Sequence, residues 1–176
     1  LLSLTTGSSN VAVGYGSLDA LTTASGNTGI GHAALGSNTT AANNTALGYL
    51  ALFTNTTGEG NVAVGSNALD ASTTASFNTA IGSSALGATT TGTHNSALGY
   101  NCLDANTTGQ FNVGVGLGAL GGNTTGSQNT AVGTTALQSA TTASNNTAVG
   151  KDALQQCSTG GQNVAVGAFT LDANTS

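Results

Sequence analysis

An asparagine followed by any residue, a small residue, a branched aliphatic and a glycine occurs at Asn10, Asn27, Asn44, Asn61, Asn78, Asn95, Asn112, Asn129, Asn146 and Asn163. Every gap is 17 residues, with no insertion or deletion. Counting each asparagine as unit position 1, Gly recurs at position 5 and Leu at position 9 in all ten units. The leucines are Leu18, Leu35, Leu52, Leu69, Leu86, Leu103, Leu120, Leu137, Leu154 and Leu171. Thr or Ser fills positions 13 and 14, and residues 1–9 fit the tail of a preceding unit, with Thr5 and Thr6 on the threonine positions. A fixed period of this length is the mark of a stacked repeat architecture, because so short a unit cannot bury its own apolar face and must share a core with its neighbours.

A longer period lies over the first. Val returns to position 2 at Val11, Val62, Val113 and Val164, every third unit, and position 4 runs Val13, Ile30, Leu47 and then Val64, Ile81, Leu98. Duplication of a three-unit block and a threefold structural period both account for this.

Helical repeats need more than 30 residues per unit, and Gly, Thr and Asn are poor helix formers at this density. Val-Ala-Val alternates with period 2, so the segment predicts a short strand with positions 2 and 4 on one face, lining the interior. Gly at position 5 predicts a bend at positive φ. Ala-Leu at positions 8 and 9 predicts a second short strand, and the Thr-Thr segment returns the chain. The fold class is therefore all-β, a β-solenoid (parallel β-roll or β-helix) of ten 17-residue coils starting at the ten asparagines. Residues 1–176 form a single repeat domain with 1–9 a partial coil. Ten rungs at about 4.8 Å make a rod roughly 48 Å long.

The repeat cores Asn61-Val-Ala-Val-Gly65 and Asn78-Thr-Ala-Ile-Gly82 resemble the core of YadA-like head repeats (Hep/Hag type) in trimeric autotransporter adhesins. The longer form Asn-Thr-Ala-Val-Gly-x-x-Ala-Leu-x-x-Asn-Thr-Thr-Gly, which residues 44–58 follow except for Leu47, is similar to repeats of bacterial surface and phage tail-fibre proteins. The resemblance covers nearly the whole chain and implies parallel β-rolls, often trimeric, carried on extracellular fibres.

Composition limits the partners. Charged residues are 4% of the chain, net charge is −5 and Lys151 is the only Lys or Arg, which leaves no footprint for nucleic acid. No apolar run reaches the roughly 18 residues of a membrane helix. The chain has no initiator Met and no signal-peptide pattern at Leu1, so it reads as an internal segment or a processed chain. Solenoid ends expose unpaired strand edges, and neither end here carries a charged or proline-bearing cap. Continuation into more chain, or self-association as an end-to-end filament or homotrimer, is the expectation.

Several ranks of side chains are candidate sites. The Asn ladder (Asn10 through Asn163) and the Leu ladder (Leu18 through Leu171) read as structural, the first by axial amide hydrogen bonds. Asn-X-Ser/Thr sequons occur at Asn38, Asn43, Asn55, Asn106, Asn123, Asn145 and Asn174. Five of these (Asn38, Asn55, Asn106, Asn123, Asn174) share position 12, read as a return turn from which a glycan would project. Asp104-Ala-Asn106-Thr-Thr108 and Asp172-Ala-Asn174-Thr-Ser176 also fit the stricter acidic pattern of bacterial N-glycosylation. Thr pairs such as Thr22-Thr23 and Thr141-Thr142 suggest packed β turns, O-glycan acceptors or an ice-binding array; adjacent threonines point to opposite faces, which counts against ice.

Asp19, Asp70, Asp104 and Asp172 share position 10 without the converging acids that calcium needs. Cys102 and Cys157 lie three coils apart, about 14 Å at the rung spacing, beyond the usual reach of an intrachain disulfide; two free thiols are expected, with an interchain bridge as the alternative. His32 and His94 have no acid or Cys at metal spacing, and Tyr15, Tyr49 and Tyr100 at position 6 are interrupted by His32, Ser66 and Ser83. No nucleophile–base pairing, phosphate loop or paired carboxylates are present, so no enzyme, cofactor or metal site is expected. The expected function is an extracellular or cell- or virion-surface structural fibre module, possible glycan decoration included. An adhesin head or phage-fibre module binding host glycan or matrix is second, and ice binding a distant third.

Overall fold

The computed structural model describes residues 3–175. It contains ten three-residue strands: β1 (Val11–Val13), β2 (Thr28–Ile30), β3 (Thr45–Leu47), β4 (Val62–Val64), β5 (Thr79–Ile81), β6 (Ser96–Leu98), β7 (Val113–Val115), β8 (Thr130–Val132), β9 (Thr147–Val149) and β10 (Val164–Val166). They form one parallel sheet in sequence order, and each residue pairs with the residue 17 further on, as in Val62↔Thr79 and Val64↔Ile81. The chain is thus a β-solenoid with one strand per coil. No helix among the described residues is long and apolar enough to cross a membrane.

Two expectations about the coil are corrected. Positions 2 and 4 face outward, and the small residue at position 3 faces the core: Ala46, Ala63 and Ala80 are fully buried while Leu47, Ile81 and Leu98 are exposed. Alternation fixes which residues share a face but not which face is buried; here the volume inside so narrow a coil admits only Ala or Gly beside the leucine. Positions 8 and 9 form no second strand. Leu at position 9 sits in the left-handed region, from Leu18 at φ 50° to Leu103 at φ 54°, and position 7 does the same, as at Asn67 with φ 57° and Thr135 with φ 55°. Each such residue costs roughly 1–2 kcal/mol, offset at Leu by full burial of a side chain worth about 1.5–3 kcal/mol. These left-handed steps close the coil in 17 residues without a second straight run.

Gly at position 5 bends the chain as expected, for two reasons. Its φ lies between 122° at Gly14 and 145° at Gly48, a region that L side chains avoid. A Cβ there would also lie 2.5 Å from the next coil's carbonyl oxygen, as Gly65 does against Gly82.

The core is a column of Ala at most of positions 3 and 8, with Cys102 in coil 6, Leu at position 9, Leu21, Ala140 and Cys157 at position 12, and Ala24 and Ala143 at position 15. Leu18 through Leu154 are fully buried, whereas Leu171, in the last coil, is 51% exposed. Asn27 through Asn146 line the same column. In each rung the Oδ1 accepts from the backbone N–H of the next ladder asparagine, and the Nδ2 donates to a carbonyl 14 residues on. For Asn78 these bonds are Asn95 N to Oδ1 at 2.9 Å and Nδ2 to Gly92 O at 2.9 Å. The ladder satisfies backbone groups at the corner where a strand begins and main-chain pairing alone leaves them open.

Candidate functional site

The outward sheet face is the most extended surface feature. Strand pairing brings position 2 into a rank of Val, Thr and Ser, and position 4 into a parallel rank of Val, Ile and Leu. Val13 (55%), Leu47 (45%) and Leu98 (50%) are exposed in the second rank. The three-coil pattern of Val, Ile and Leu is therefore displayed on the surface and is not a core-packing rule.

Beside this face run two ring stacks that the sequence reading missed. His32 does not interrupt the tyrosines; it stacks between Tyr15 and Tyr49 with centroids 5.4 Å away on each side. His94 lies likewise between Phe77 and Phe111, at 5.2 and 5.0 Å. The signal was in the sequence: all three members of each stack occupy one unit position, 6 or 17, in successive coils, so in-register stacking sets their spacing.

The threonine ranks divide. At position 13 the hydroxyls donate to the carbonyl of the same position one coil on, as in Thr107 to Thr124 O at 3.0 Å and Thr124 to Thr141 O at 2.9 Å. At position 14, Thr23 through Thr159 are exposed in every coil. One rank knits the coils together and the other meets solvent.

The sequons at position 12 require correction. Asn38, Asn55, Asn106 and Asn123 are fully buried, each donating its Nδ2 to the carbonyl three residues on at 2.9–3.2 Å. Position 12 is an interior corner, so no glycan projects from these four in the folded chain. Asn174 is half-buried in the last coil, and Ser176 of its sequon lies outside the described residues. Asn43 and Asn145, at position 17, are exposed.

Cys102 and Cys157 are buried free thiols. Burial pushes the Cys102 thiol up to about 12, and nearby Asp104 adds to the effect; burial also raises Cys157. Neither is a nucleophile at neutral pH. Asp70 and Asp104 are held above the ordinary carboxylate range by burial, partly opposed by backbone N–H bonds. The one cation, Lys151, is engaged locally, 3.4 Å from Asp152 and 5.0 Å from the Phe169 ring centroid.

Comparison with protein-family models, with curated proteins and with solved structures returned no match.

Proposed function

We propose that this chain is a structural module of an extracellular fibre or surface filament, and that it packs against further copies of itself through the outward sheet face. One observation carries this: two parallel ranks of outward-facing side chains, Val, Thr or Ser at position 2 and Val, Ile or Leu at position 4, run through all ten coils, each side chain half-buried or exposed. Ten three-residue strands cover an area about 48 by 10 Å, the size of the largest apolar patch on a soluble monomer, roughly 300–600 Å², which often marks an interaction site. A second copy is the occupant that fits, because its ranks have the same rung spacing and the same lack of charge. The resemblance to trimeric head repeats supports the same arrangement.

An extracellular or cell- or virion-surface setting accords with a fibre role. Asn43, Asn145 and the exposed position-14 threonines are the positions open to glycans, which would keep a chain with so few charges in solution.

The test is sedimentation velocity on the wild type and on Leu47→Glu/Ile81→Glu, which places charges two rungs apart on the face. The wild type sediments as an oligomer, and the variant as a single chain with an unchanged β-sheet spectrum. A monomeric wild type, or a variant that assembles equally well, refutes the interface.

A further inference from the structure

Coil 7 breaks the repeat in a way that shapes the surface. Across the other coils, positions 7, 10 and 11 together always carry at least one side chain, such as Asn101, Asp104 and Ala105 in coil 6 or Thr135, Gln138 and Ser139 in coil 8. Coil 7 has Gly118, Gly121 and Gly122 at all three. The missing side chains leave a notch of about 500 Å³ between coils 6 and 8, with Tyr100, Asn101, Asp104, Leu117, Gln138 and Ser139 on its walls. Its volume falls within the roughly 300–1,000 Å³ of small-ligand sites. Coils 6 and 8 stand two rungs apart, about 9.6 Å, and the coil 7 glycines form the floor between them.

We propose that this notch binds an uncharged pyranose oligosaccharide. Sugar rings present an apolar C–H face and a rim of hydroxyls, and the walls supply both complements. Tyr100, 56% exposed, is the ring platform. Its neighbours in the position-6 rank are Ser83 and Leu117, so it has no place in either ring stack. Leu117, 53% exposed, extends that apolar surface. Asp104 accepts hydroxyl protons, while the Asn101 and Gln138 amides donate and accept. Burial already holds Asp104 partly out of water, so hydroxyl donors replace hydration it lacks. Anionic sugars are disfavoured: Asp104 stands in the notch, and the only Lys, Lys151, is two coils away and paired.

The repeat supplies a clean way to close the notch. Other coils hold Asn at position 7 in the left-handed conformation (Asn67, φ 57°), and Gln at position 10 (Gln138, Gln155). Gly118→Asn/Gly121→Gln therefore fills it with residues found at these positions in other coils; a Cβ at Gly118 meets nothing closer than 3.6 Å, and one at Gly121 meets the Gly118 carbonyl oxygen at 3.1 Å, a tight contact that position 10 relaxes in the coils with Asp or Gln there.

The site goes beyond the fibre role and does not depend on it, so calorimetric titration is run both on the wild type and on the assembly-breaking Leu47→Glu/Ile81→Glu chain. The probes are chitotriose, cellotriose and maltotriose, with trigalacturonate as the anionic comparator, each at millimolar concentration. At least one neutral trisaccharide binds saturably, and trigalacturonate binds less well. Tyr100→Ser and Gly118→Asn/Gly121→Gln each weaken binding at least about tenfold, while Tyr15→Ser, at the same unit position in coil 1, leaves it unchanged. Absence of saturable binding by all three neutral probes overturns the proposal, as does undiminished binding by the filled variant.

Discussion

Two coils carry a side chain larger than Ala at position 8 beneath a following coil, Ser17 and Cys102, and the coils that follow are the two with Gly in place of Ala at position 3, Gly29 and Gly114. The structure explains the match. A Cβ on Gly114 would lie 2.5 Å from the Cys102 Sγ, and one on Gly29 would lie 2.6 Å from the Ser17 Oγ. The interior column holds a fixed volume, and what one rung adds the next gives up. Gly114→Ala alone therefore overpacks a buried site and costs about 1–3 kcal/mol. Cys102→Ala alone removes one buried atom and costs about 0.5–1.5 kcal/mol, as for deletion of a buried methyl. The double variant restores the Ala–Ala pair of the other coils. It comes within about 0.5 kcal/mol of the wild type, or exceeds it by about 0.4–1 kcal/mol as the loss of a Gly restricts the unfolded chain. The coupling is then at least about 1 kcal/mol, above the scatter expected of independent sites. Thermal unfolding of the four proteins by circular dichroism reads this, at about 2–4 °C per kcal/mol for a chain of this size. A double variant destabilised by the sum of the singles would refute volume compensation and, with it, the inward orientation of position 3.

Asn78→Ala strands the Asn95 N–H and the Gly92 carbonyl inside the column; at about 1–3 kcal/mol for each buried orphan it lowers Tm by at least about 4 °C, whereas Thr91→Ala on the exposed rank leaves Tm within about 2 °C. An aromatic disulfide reagent labels neither Cys102 nor Cys157 until the chain unfolds, and rapid labelling of the native protein would contradict their burial. Asp70 and Asp104 have raised folded pKa values, so their contribution to stability is full below the unfolded carboxylate range and lost as pH rises through the folded values. Tm measured from about pH 7 down to about pH 4 accordingly holds or rises, and a fall of several degrees would count against the environment of these two groups. Intact mass of native material, followed by peptide mapping, places any N-glycan at Asn43, Asn145 or Asn174 and never at Asn38, Asn55, Asn106 or Asn123; a modified interior asparagine would refute the coil's geometry.

The period, the strand, the bend at Gly and the two ladders were legible because each is a demand that every coil repeats. Orientation was not. Val-Ala-Val looks like two core residues flanking a spacer, and only the cross-section of the closed coil shows that Ala80 fits inside and Ile81 does not. The second strand predicted at positions 8 and 9 failed for a related reason: leucine at φ near 50° is locally unfavourable, and burial in the shared core offsets that cost at nine of the ten, Leu18 through Leu154. The same blind spot placed position 12 on a projecting turn. Asn38 and Asn55 match a surface sequon in sequence, but the buried equivalents Leu21 and Ala140 at that position already marked it as interior. The position-6 rings stand in one rank in the sequence, but counting His32 as a break in the tyrosines hides that an imidazole stacks in register with them; the notch emerges only once positions 7, 10 and 11 of coil 7 are seen to lie together in space.

Electron microscopy of the native assembly tests the central claim most directly. Multi-chain rods are expected, with coils stacked along the rod at about 4.8 Å and neighbouring chains meeting across Leu47, Ile81 and Leu98. Isolated single-chain rods with that sheet face open to solvent would contradict it.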